Sequence, residues 1–223
     1  GGSSWDIRAQ IYNGAGNTVG DEFLVNSYIS STQYKPSISA IEDGGFVVAW
    51  VVGFVGQVFA RIYDSQGQLV GNELQVAVGD IGYSTSLTAL DDGGFITVWP
   101  TRDGSNYDIV GQKYNAQGEL VGNEIQISST SSSYKSSISS TVLDDGGFVV
   151  TWISSGQDGS SYGVYGQLLT AAGQSVGDEF QVNSYTAHSQ SNPFVTALTD
   201  GGFIVTWQSL YQDGSSYGIY GQR

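Results

Sequence analysis

The chain has 223 residues, carries 21 acidic side chains against 7 basic ones for a formal charge of −14, and contains neither Cys nor Met. That balance argues against nucleic acid and anionic membrane surfaces as partners, because both are met by basic footprints. The lack of Cys excludes disulfide staples and thiolate metal sites, and no apolar run is long enough for a transmembrane helix. With 32 Gly, 14 Tyr and no window of helical periodicity, the expected class is all-β. Without an initiator Met the chain is expected to be processed or to be part of something longer.

Taken in order, the chain reads as one repeat domain over 1–223: a partial repeat at 1–26, repeats at 27–76, 77–127 and 128–183, and a partial repeat at 184–223. The first segment, Trp5 to Asn13, aligns with Tyr107 to Asn115 and is a strand, C. A turn at Gly14-Ala15-Gly16 leads to strand D, whose Val19-Gly20-Asp21-Glu22 recurs at 70–73, 121–124 and 176–179. A polar connection then reaches strand A at Pro36 to Ile41. An Asp-Gly-Gly hairpin, with its first Gly at 44, 93, 146 and 201, delivers strand B, which ends on Trp50, Trp99, Trp152 or Trp207. Asp-Gly-Gly supplies the positive φ of a tight turn, and this turn chemistry accounts for its aspartates.

Strand B is apolar on both faces, as in Phe46, Val48 and Trp50 against Val47 and Ala49. A strand covered on both sides, a period of about 50 residues and a long D-to-A return together predict a β-propeller of four-stranded antiparallel blades. Four blades are expected, the N-terminal C-D pair joining the C-terminal A-B pair in a composite closing blade. One C strand, Trp5 to Asn13 or Tyr217 to Arg223, is then surplus and available for self-association. A five-bladed ring is the alternative if the array continues.

Phe148 to Trp152, Gln157 to Gln167 and Val176 to Asn183 together resemble tandem repeats of large secreted bacterial proteins of the RTX, or hemolysin-type calcium-binding, kind. The resemblance implies an adhesin-like, non-catalytic module at the cell surface or outside the cell. The Gly-Gly-x-Gly-x-Asp nonapeptide array of that family is absent, so its calcium β-roll is not carried over.

The B-C loops hold the remaining candidates. Asp103, Asp108, Asp158 and Asp213 sit in Gly- and Ser-containing loops whose oxygens could serve Ca²⁺, which takes six to eight of them. Trp5, Tyr107, Tyr162 and Tyr217 occupy one place at the start of strand C, where aromatic faces beside polar loops could stack on sugars. His188 is single and lies in a polar connection with no nucleophile motif around it, so no enzymatic activity is expected. The expected function is adhesion, assembly or spacing through other protein chains or surface glycans. The alternative is a lectin-like, calcium-assisted carbohydrate-binding propeller.

Overall fold

The computed structural model describes residues 5–27, 29, 31–42, 44–53, 56–78, 84–104, 106–129 and 133–223, without the side chains of residues 103 and 106. Among them there are strands and turns but no helix. The first sheet pairs β1 (Arg8–Tyr12) with β2 (Thr18–Leu24). Three four-stranded sheets follow: β3 (Gln33–Ala40), β4 (Phe46–Val52), β5 (Gln57–Tyr63), β6 (Leu69–Val78); β7 (Ser86–Ala89), β8 (Phe95–Asp103), β9 (Asn106–Tyr114), β10 (Leu120–Gln126); and β11 (Lys135–Val142), β12 (Phe148–Ser155), β13 (Tyr162–Leu169), β14 (Ser175–Gln181). The last sheet is β15 (Gln190–Ala197), β16 (Phe203–Leu210) and β17 (Tyr217–Gln222). Every pairing is antiparallel and every sheet is a meander.

The two glycines of each hairpin are needed for different reasons. Gly44, Gly93, Gly146 and Gly201 have φ of 77, 78, 78 and 82°, the left-handed region that Gly enters without strain. A Cβ on Gly45, Gly94 or Gly147 would instead lie 2.3, 2.3 or 2.6 Å from the carbonyl oxygen of Tyr63, Tyr114 or Leu169 on the neighbouring strand. The aspartate closes the turn: the Gly94, Gly147 and Gly202 amides donate to the Oδ1 atoms of Asp92, Asp145 and Asp200 at 3.0, 2.9 and 3.1 Å.

Burial is graded across each complete sheet. β4 and β12 are covered on both faces, while the outer strands β2, β10 and β14 are mostly exposed. Trp50 and Trp152 lie at the buried end of this gradient, and each contributes roughly 3 kcal/mol by leaving water. Two-sided burial requires a neighbour on each side, and polar contacts fix the spacing between neighbours. Glu73 on β6 accepts from the Ser27 amide at 2.8 Å, and Glu179 on β14 accepts from the Ser129 amide at 2.9 Å. The Val-Gly-x-Glu glutamate, plain in the sequence, thus bonds the chain leaving the preceding sheet. The innermost strands β3, β7, β11 and β15 together wall one axial cavity.

The composite closing blade does not form. β16 pairs with β17 from Val205↔Gln222 to Leu210↔Tyr217, so the following C strand, joined by a short loop, occupies the place expected for β1. Closing a short loop costs less entropy than bringing in a strand from the far end of the chain. β1 and β2 remain their own sheet, and Ile7 and Val25 pack against Val48, Trp50 and Val52.

Candidate functional site

At the end of the sheets where the D-A connections meet the B-C loops, the four innermost strands surround an axial cavity of about 740 Å³. Lys35, Ser137 and Asn192 hold equivalent positions with φ of 54, 53 and 51°. Strand register shifts there between Tyr34 and Ser37, Ser136 and Ser139, and Ser191 and Phe194. Each shift is a bulge that turns strand residues out of the ladder toward the opening. The wall is made of Ser84, Ser86, Ser137, Ser139, Tyr134, Asn192 and Gln208, among others. Asn192 donates to Gln208 Oε1 at 3.0 Å. β3, β7, β11 and β15 carry no carboxylate, and among the described residues the wall combines hydroxyls and amides with the apolar Pro36, Leu87, Ile138, Pro193 and Phe194 and the charge of Lys35.

Tyr134 lines this cavity and connects it to two of the expected aromatic residues. Its ring centroid lies 4.9 Å from Tyr107 and 6.4 Å from Tyr162, both edge-on, and the Arg102 guanidinium stands 5.7 Å over the Tyr107 ring. Tyr107 and Tyr162 start equivalent strands of neighbouring sheets, and Tyr134 fills the space between them. Trp5 and Tyr217 are exposed at the ends of their own sheets and stand apart from this group. His188, also exposed, packs edge-on against Tyr211 at 5.3 Å.

Under the rings is a buried cation that sequence reasoning missed. Lys135 has 0% exposure and donates to the Tyr107 carbonyl at 3.1 Å, with Asp108 Oδ1 4.0 Å from its Nζ. Burial lowers its pKa, against the opposing pull of the Asp108 and Glu179 carboxylates. Glu179 bears on Tyr165 as well: burial first, then Asp158 and Glu179, push that phenol up to about 12. Glu179 also accepts from Gln157 and from the Ser129 hydroxyl.

The aspartates expected to hold calcium are dispersed among other tasks. Asp108 is the buried partner of Lys135, and Asp158 and Asp213 accept from the Ser160 and Ser215 amides at 3.0 Å within their own turns. The Asp103 side chain lies outside the described residues. Among the described residues, no three His, Cys, Asp or Glu side chains come together as a metal site.

Two signals could have found the missed pair. Tyr134-Lys135 repeats the Tyr34-Lys35 dipeptide, and Lys135 is one of only three lysines in the chain. Both were passed over because they sit in a Ser-rich connection that reads as a solvated loop.

No protein-family model matches the sequence, and no curated protein matches it. The structure does match solved structures. An endo-arabinase from Bacteroides thetaiotaomicron is 15% identical, with a TM-score of 0.57 over 90% of this chain and 78% of that one. An α-L-arabinanase from Penicillium chrysogenum complexed with arabinobiose is 14% identical, with a TM-score of 0.54 over 86% and 57%. The Dos1 propeller is 13% identical, with a TM-score of 0.51 over 91% and 48%. The fold is a β-propeller.

These likenesses correct three expectations. The resemblance to RTX calcium-binding repeats finds no support in any family model, and the solved structures similar in fold include an endo-arabinase and an α-L-arabinanase. The reading as a non-catalytic adhesion or spacing module falls with it, and so does the expectation of no enzymatic activity, because this fold is shared with enzymes named for arabinan. The error was physical: a repeated strand motif reports how a blade is built and carries no information on function.

Proposed function

We propose that the chain is a carbohydrate-binding propeller that takes an arabinan-type oligosaccharide at the mouth of the axial cavity, with Tyr107, Tyr134 and Tyr162 as its stacking surface. The observation that carries this reading is that Tyr134 lines the cavity and touches both other rings. A sugar presents an apolar ring face and a rim of hydroxyls, which suits aromatic faces beside a wall of hydroxyl and amide groups. Arabinobiose in the structurally similar Penicillium enzyme supports the choice of sugar. A polysaccharide does not cross a membrane, so the protein meets it in secreted form or at the cell surface. Calcium enters only through the charge of −14 and the Asp158 and Asp213 loops.

The test is a glycan array that includes arabinan fragments, run with Ca²⁺ and with chelator, with the incubated sugars then analysed for cleavage products. Arabinan binding that falls about tenfold in Tyr134→Ala is expected, since an aromatic contact is worth about 0.5–1.5 kcal/mol beyond the area it buries. A blank array without products would overturn the reading, and a chelator-insensitive signal would remove calcium from it.

A further inference from the structure

The sheets repeat one design, yet Tyr107 and Tyr134 meet at a single junction, between the sheet β7–β10 and the sheet β11–β14. Counting back from the first Gly of each hairpin, the residue that opens the inner strand is Gln33 in β3, Lys135 in β11 and Gln190 in β15. Its counterpart before β7, Gly82, lies outside the described residues. The two glutamines serve their own connections: Nε2 of Gln33 and of Gln190 donates to the Ser31 and Ala187 carbonyls, both at 2.9 Å. Lys135 reaches across to the preceding sheet instead, where its Nζ donates to the Tyr107 carbonyl at 3.1 Å and lies 4.0 Å from Asp108 Oδ1. Asp6, which aligns with Asp108, accepts from the Asn26 side chain at 3.1 Å. The residue aligned with Asn26 at this junction is Ser128, whose hydroxyl accepts from the Ile109 amide at 2.9 Å.

The residue before this position differs in the same way. It is Thr32 before Gln33 and Ser189 before Gln190, and only before Lys135 is it an aromatic, Tyr134. Tyr134 is fixed within its own sheet, because its carbonyl accepts from the Ser155 amide at 3.0 Å and Ser155 pairs with Tyr162. Tyr107 belongs to the other sheet. Lys135 follows Tyr134 in the chain and bonds the Tyr107 carbonyl, so one side chain ties the backbone of one ring to the backbone of the other. Its charge makes that bond stronger than an amide in its place would be. The two rings then meet edge-on at 4.9 Å, closer than the 6.4 Å from Tyr134 to Tyr162.

We propose that Lys135 is the positioning residue of the sugar surface: it holds Tyr107 against Tyr134 and so confines binding to this one junction, one oligosaccharide per chain. The proposal rests on the reading of these rings as a sugar site. Lys135 is 0% exposed and cannot touch the sugar, so it acts through the rings it supports. Lys113 supplies the contrast within the molecule. It is 9% exposed and joins the same two sheets at their other end, where its Nζ donates to the Ala171 carbonyl at 2.8 Å and lies 3.5 Å from Asp92 Oδ2. Both lysines hold the sheets together, and of the two Lys135 is the one that bears on the rings.

The experiment follows the full chain by NMR, with its tyrosine rings labelled, and titrates it with arabinobiose in a calorimeter. Lys135→Gln is the variant, because glutamine fits this position in two other sheets. The Tyr107–Tyr134 ring contact seen in the parent protein should disappear, and affinity should fall at least about fivefold from a stoichiometry of one. Added to Tyr134→Ala, the same substitution should cost less than about twofold more, since the lysine acts through that ring pair. Lys113→Gln should lower the melting temperature and leave both ring contact and affinity as they were. If Lys135→Gln does not fold, Lys135→Arg is read instead: its charged donor should keep the ring contact, and loss of that contact would overturn the proposal. So would a ring contact that survives Lys135→Gln, losses that multiply in the double variant, or an equal loss of affinity in Lys113→Gln. If the parent protein binds no arabinobiose, the sugar reading fails by itself, and the ring contact alone decides the role of Lys135.

Discussion

The dipeptides Tyr34-Lys35 and Tyr134-Lys135 are identical, and their lysines end in opposite places. Lys35 is exposed on a bulge with φ of 54°, whereas Lys135 is 0% exposed. Counting from the strand pairs resolves this. Gln33 pairs with Val52 and Lys135 with Ser154, each two residues beyond its sheet's Trp, so Lys135 occupies the position of Gln33 rather than that of Lys35. The stretch from the Lys to the first Gly of the hairpin is two residues longer in the later repeat, running from 135 to 146 instead of 35 to 44. A slip of two keeps a side chain on its face of the sheet and moves it one step along the strand, here from the mouth of the cavity into the interior. Blade position is therefore set by register from the Asp-Gly-Gly hairpin, not by the local string.

The strongest way to break this comparison is to truncate both lysines. Lys135→Ala leaves the Asp108 carboxylate buried without its cation and should cost about 3 kcal/mol in urea unfolding, whereas Lys35→Ala should stay within about 0.5 kcal/mol. Equal effects would refute the register assignment.

Alkaline titration probes the interior that holds Lys135. Burial raises the Tyr114 phenol to about 12, and Tyr165 also stands at about 12. Their folded pKa values lie above the unfolded value of about 10, so the unfolded chain loses these protons first and stability falls from pH 10 toward 12. The expected loss is on the order of 2 kcal/mol for each phenol. Tyr114→Phe and Tyr165→Phe should each flatten the decline, and an unchanged slope in both would contradict their burial. Lys135 acts with the opposite sign. Its folded pKa lies below its unfolded one, so the unfolded chain holds a proton that the folded chain has released, and this group adds stability as pH rises toward 10.5.

A smaller effect sharpens the comparison. Gln33 Oε1 accepts from the Trp50 indole at 3.0 Å, while the Trp152 indole nitrogen has no hydrogen-bond partner among the described residues. Lys135→Gln should give Trp152 that acceptor, recover about 1 kcal/mol of the loss expected in Lys135→Ala and remove the contribution of Lys135 to the alkaline slope. The counterexample in the last sheet limits the gain. Gln190 occupies the same position, but its Oε1 accepts from Asn183, and the Trp207 indole nitrogen has no partner among the described residues. A Lys135→Gln variant no more stable than Lys135→Ala would show that the amide gives the indole nothing.

Much of the architecture was legible because it is written in local chemistry. The Asp-Gly-Gly turns, the two-sided apolar runs such as Phe148 to Trp152 and the order A-B-C-D all depend on neighbours within a few residues. What depends on distant residues was not legible. Whether β1 or β17 pairs with β16 is a contest between two copies of the same motif, decided by loop length. Of the site, Tyr107 and Tyr162 were visible as repeated aromatics. Tyr134 was hidden because its value comes from lying between two sheets.

The most direct test of the central claim is a crystal of the protein soaked with arabinobiose. The account predicts sugar stacked on Tyr134 and Tyr107 at the mouth of the axial cavity, hydrogen-bonded to the serine wall. Sugar bound instead at the opposite, Asp-Gly-Gly end, in the cavity of about 800 Å³ between Leu168 and Phe203, would contradict it.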